Sequence, residues 1–94
     1  MPRYCARVDA NHGTVREVLR KSGWLVIDCS RVGGGFPDLV ALKGSRVEFC
    51  EVKDGAKVPS KQALTKHQVA LHAAFLRAGV LVKTLRSIED ARKL

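Results

Sequence analysis

The chain has 94 residues and a mass of 10.3 kDa, with 46% hydrophobic and 28% charged residues. That is the make-up of one soluble globular domain spanning 1–94 and not of a disordered tail. Seventeen Lys and Arg against nine Asp and Glu leave a net charge of +8. For so small a body this is a strong field whose natural partner is a polyanion, nucleic acid first. The longest apolar run, Ala78 to Val82, is far too short for a membrane span, and no apolar stretch follows Arg3 and Arg7 to form a secretory leader.

In chain order, residues 1–10 are basic and carry no clear pattern. Asn11 to Ser22 predicts a helix, because Val15, Val18, Leu19 and Ser22 fall on one face, and Gly23 is placed to close it. Trp24 to Cys29 is rich in β-formers and predicts a strand. Ser30 to Pro37 holds Gly33-Gly34-Gly35 and must be a loop. Asp38 to Leu42 and Val47 to Val52 predict two more strands. The polar stretch Asp54 to Ala63 reads as a mobile loop. Thr65 to Ala78 predicts a helix that opens with Thr65 and Gln68 at capping-box spacing and is closed by Gly79. Val80 to Leu85 predicts the last strand, and Ser87 caps a short helix from Ile88 to Lys93. Cys5, Cys29 and Cys50 lack metal-type spacing and read as buried thiols of a reducing, cytoplasmic compartment.

Residues 38–53 carry the chemistry. Gly44-Ser45 between two apolar runs suits a two-residue hairpin loop, with glycine at the first central position favouring type II′. That turn sets Lys43 opposite Arg46, Leu42 opposite Val47, Val40 opposite Phe49 and Asp38 opposite Glu51. One sheet face then carries Asp38, Val40, Leu42, Val47, Phe49, Glu51 and Lys53, apolar in the middle and charged at one end. Two carboxylates ~5 Å apart at Cβ repel by roughly 3 kcal/mol at an effective dielectric near 20. A divalent cation would relieve that conflict. A solvated edge pair of Glu51 and Lys53, with Asp38 at a turn, is the competing reading.

These residues resemble the PD-(D/E)XK nuclease signature, in Phe36-Pro37-Asp38 followed by Glu51-Val52-Lys53. More closely, the chain is similar to the virus-type replication-repair nuclease (VRR-NUC) family, in the stand-alone form found in phages and prophages. The matching stretches are Val32 to Leu39, Glu51 to Gly55, Leu64 to Gln68 and Gly79 to Val82. The resemblance spans roughly Asp9 to Leu94. It implies an α/β, restriction-endonuclease-like core in α-β-β-β-α-β order with a short C-terminal helix. It further implies a metal-dependent DNA endonuclease cutting branched DNA such as four-way junctions as a homodimer.

On this resemblance Asp38, Glu51 and the main-chain carbonyl of Val52 bind Mg²⁺ or Mn²⁺. Lys53 handles the attacking water or offsets charge, and Gln68 stands near both, although a simple capping role for Gln68 weighs equally. The family also supplies a helix acid as an outer metal ligand. Glu17 is the candidate here, with Thr14 one turn earlier, but Glu17 is equally spaced to pair with Lys21. His12, His67 and His72 lack metal-ligand company and read as surface or DNA-facing residues.

Arg31, Lys57, Lys61 and Lys66 are candidates for phosphate contacts. Gly34 and Gly35 read as a close approach of backbone to DNA or to the site, and not as a phosphate-binding P-loop, since no Gly-Lys-Ser/Thr follows. Few aromatic residues argue against base stacking on a single strand. Two alternatives stay open: a non-catalytic basic DNA-binding module, and a nuclease of the same fold acting on flaps or plain duplex.

Overall fold

Helix α1, His12–Lys21, buries Val15 and Leu19 and ends in a Schellman closure: Gly23 N donates to Arg20 O, and Trp24 N to Leu19 O. Asn11 sits at its N-cap but makes no side-chain cap. In this computed structural model, residues 11–57, 59 and 63–94 are described. Lys61, Cys5 and the first ten positions lie outside them.

Strands β1 (Leu25–Asp28), β2 (Leu39–Lys43) and β3 (Arg46–Val52) form an antiparallel meander. The hairpin register is the one expected from Gly44-Ser45: Lys43 faces Arg46, Leu42 faces Val47 and Val40 faces Phe49. Gly44 takes φ 61 while no non-glycine residue described has positive φ, which fits a type II′ turn.

Helix α2, Lys66–Arg77, carries a complete capping box between Thr65 and Gln68 and closes through Gly79 and Val80. It supplies the crossover that the parallel pairing of β3 with β4 requires. Strand β4 is Lys83–Leu85, shorter than the expected run from Val80. The reason is local: the Val80 N–H is spent on Phe75 O at the end of α2, so Leu81 and Val82 serve to carry the chain back to the sheet. Helix α3, Ile88–Arg92, is capped by Ser87, whose hydroxyl accepts from Asp90 N.

The sheet order is β1-β2-β3-β4. One face, formed by Val26, Leu39, Ala41, Cys50 and Val52, packs with Val15, Leu19, Trp24, Leu85 and Ala91 into the hydrophobic core under α1 and α3. Strand alternation turns Val40, Phe49 and Glu51 to the opposite face, where α2 lies. Phe49 meets Phe36 and Phe75 there in edge-to-face pairs with centroids 5.2–6.3 Å apart. Cys50 is buried and Cys29 partly so, both as free thiols; burial pushes the Cys50 thiol up to about 12. Among the described residues no helix is long and apolar enough to cross a membrane.

Candidate active site

The hairpin register, carried one step beyond Leu39 and Cys50, brings Asp38 beside Glu51. A hydrogen bond of 2.7 Å from Cys29 N to Asp38 O holds the backbone in line with β2. Asp38 then turns its carboxylate across to β3, where Oδ2 accepts Val52 N at 2.9 Å.

Glu51 is 1% exposed. This excludes the solvated edge pair. Burial, followed by hydrogen bonding and repulsion from Asp38, pushes its pKa up to about 9, with Lys53 pulling the other way. Its Oε2 accepts Gln68 Nε2 at 2.9 Å, and its Oε1 lies 3.3 Å from His72 Nε2. Lys53 Nζ donates to Gln68 Oε1 at 3.1 Å, and the same oxygen accepts Thr65 N at 2.9 Å. The Gln68 amide is therefore oriented from both ends: its oxygen takes two donors, which leaves the NH₂ for Glu51. Capping and site contact coexist in one side chain.

The other expected residues fall into three groups. Arg31, Gly34, Lys57 and Lys66 lie exposed on the surface. Gly35 does not face open space: at φ +86, a β-carbon there would overlap the His67 carbonyl and lie 2.8 Å from Gln68 N. Its close approach is to the first turn of α2, so it sets how near Gln68 comes to the sheet. Glu17 is not brought to the carboxylates. Its side chain is 59% exposed and pairs with Arg20 at 3.5 Å, not with Lys21.

The surface reading of the histidines holds for His67 alone. His12 is buried, with Nε2 3.1 Å from Asp28 Oδ2, an oxygen that Arg16 also reaches at 2.7 Å. Burial would raise the Asp28 carboxyl, but hydrogen bonds from Ser30 and His12 outweigh it and hold it well below the usual carboxylate range. His72 stands over Glu51, and burial, with Lys53 next, holds it below the ordinary imidazole value.

Two contributors went unread in the sequence. Asn11 Nδ2 donates to Lys53 O at 3.1 Å and Arg86 O at 3.2 Å, tying the start of α1 to the end of β3. No local pattern signals this, because the partners are 42 and 75 residues away. His72 had a signal: it follows Gln68 by four residues, so a helix that aims Gln68 at the carboxylates aims His72 there too.

Burial and the nearness of Asp38 make an ionised Glu51 costly without a counter-charge, and the hard oxygens of the two carboxylates suit a divalent cation that would supply it. Among the described residues no group of three or more His, Cys, Asp or Glu side chains forms a metal cage. Further ligands then have to be backbone oxygen, water or phosphate. The residues present fit such an ion.

No family model and no curated protein matches the chain. A solved structure described as a VRR_NUC domain does: it is 30% identical, with a TM-score of 0.65, over 87% of this chain and 90% of its own.

Proposed function

The chain belongs to the VRR_NUC family and is a nuclease domain, and on that premise we propose a divalent-metal-dependent DNA endonuclease of the PD-(D/E)XK type. The observation that carries this reading is the convergence of Asp38, Glu51, Lys53 and Gln68 in one hydrogen-bonded group, with Glu51 denied to solvent. Asp38, Glu51 and the Val52 carbonyl would hold Mg²⁺ or Mn²⁺. Such an ion activates water and stabilises charge on an attacked phosphate. Lys53 orients or deprotonates the water, or offsets the charge that grows on the phosphate. Its ammonium is steadied by Gln68, so it cannot swing freely into solvent. Arg31, Lys57 and Lys66 contact phosphates and supply affinity without sequence preference.

The substrate is branched DNA such as a four-way junction, cut by a homodimer. Two strands need two sites, and a twofold pair is the simplest way to supply them. Support for a second copy comes from the sheet face that bears Glu51. There Leu25, Ile27 and Val47 are all at least 46% exposed, and Leu76 of α2 is 59% exposed.

The test sets junction, flap and duplex DNA against Mg²⁺, Mn²⁺ and EDTA, with sedimentation of the pure chain. Paired, symmetry-related nicks in the junction that vanish in EDTA are the expected result. Metal-independent binding without cleavage would leave a basic DNA-binding module. A monomer that nicks only flaps would remove the junction and dimer claims and keep the nuclease.

A further inference from the structure

We propose that His72 is a positioning residue for Glu51, holding Oε1 while Gln68 holds Oε2, so that the carboxylate is kept in one orientation toward the cation site. The inference rests on the nuclease reading above. The inward stripe of α2 runs Gln68, Leu71, His72 and Phe75, at i, i+3, i+4 and i+7. None of these is fully buried, yet each is shielded. Phe75 seats the far end of the helix on Phe36 and Phe49. The capping box and the close approach of Gly35 seat the near end. Between these two anchors His72 has little freedom, and its Nε2 lies 3.3 Å from Glu51 Oε1 with the side chain 14% exposed.

An ionised Glu51 only accepts hydrogen bonds, so His72 must present an Nε2–H to it. Gln68 alone would leave the carboxylate free to swing about the bond to its single held oxygen. Two donors from one helix, one on each oxygen, remove that rotation and leave the remaining lone pairs for a metal. Groups that orient a ligand in this way are typically worth about 10–100-fold in metal affinity.

The test compares His72→Gln with His72→Asn. Both are neutral amides, but only glutamine carries a donor as far along the side chain as Nε2. Binding of Mn²⁺ alone is read from the loss of the free-ion EPR signal, and cleavage is titrated against Mn²⁺ in parallel. His72→Asn is expected to shift the Mn²⁺ midpoint upward about tenfold or more, with maximal cleavage at saturating Mn²⁺ reduced less than the midpoint is shifted. His72→Gln should stay within about threefold of wild type. Thermal melts of the metal-free proteins accompany both, and His72→Phe replaces the asparagine variant if that one does not fold.

A wild-type chain that cuts DNA, beside a His72→Asn chain that binds Mn²⁺ equally well, overturns this inference alone. So does equal loss in the Gln and Asn variants. A wild-type chain that takes up no Mn²⁺ overturns the parent reading and this inference with it.

Discussion

Beneath α1, Val15, Leu19, Leu39, Ala41, Cys50 and Val52 are all sealed from solvent, whereas α2 on the opposite face buries none of its side chains completely. The α1 face is apolar and satisfies the packing demands of a small fold. The α2 face holds a carboxylate pair, a lysine, a glutamine and a histidine, and it leaves Leu25 and Ile27 open. The contrast shows how a short chain divides its work. One side of the sheet supplies stability, so that the other can tolerate repulsion between Asp38 and Glu51 and a helix seated by a few contacts.

The division can be broken most severely from the apolar side. Leu19→Ala should cost about 2–5 kcal/mol of folding free energy, read as a large fall in the melting midpoint, with cleavage per folded molecule preserved. Asp38→Asn should do the reverse. Cleavage should drop by about a hundredfold or more, equivalent to roughly 2.7 kcal/mol in the barrier, while the fold and DNA binding survive. A normal rate in that variant would contradict the assigned metal ligand.

Gly35→Ala tests the joint between loop and helix. The added carbon would strike the His67 carbonyl in a left-handed backbone, and a cost of about 1–3 kcal/mol is expected. Because the displaced turn carries Gln68, cleavage should fall as well; an unchanged rate would mean that the spacing of α2 is not critical.

The two faces also differ in the sign of their pH dependence. Glu51 titrates at 4.5 when unfolded and about 9 when folded in the metal-free protein. Its folded form therefore holds a proton that the unfolded chain releases, and stability declines as pH rises from about 4.5 to about 9. Asp28, on the α1 face, is held below its unfolded value of 3.8. Its contribution is full above that value and is lost as the pH falls below it. Glu51→Gln should flatten the first slope and raise the metal-free stability near neutral pH, read as a higher melting midpoint. Melts across pH for both proteins check this, and parallel slopes would contradict it. The smallest effect belongs to Leu25→Ser: within about 0.5 kcal/mol for the folding of a single chain, but with weaker self-association in sedimentation if a second copy covers that face.

The order of elements, the helix closures at Gly23 and Gly79, the capping box at Thr65 and the register of the 38–53 hairpin were all legible in the residues. Each depends on neighbours within one turn of helix or across one tight loop, where backbone geometry leaves few options. Asp38 and Glu51 were legible for the same reason, since a two-residue turn determines which side chains face each other. The long-range placements were not. Asn11 read only as the start of the first helix, and its side chain binds carbonyls just after β3 and just after β4. Gly35 read as a close approach to DNA or to the site, and only the fold shows that the partner is the first turn of α2; Glu17 turned to solvent. His72 became a partner of Glu51 only because α2 is seated over β3. Burial of Glu51 itself, and with it the raised pKa, depends on that seating. Local sterics and hydrogen bonds are encoded a few residues at a time, whereas the approach of a helix to a sheet is decided by the packing of the whole chain.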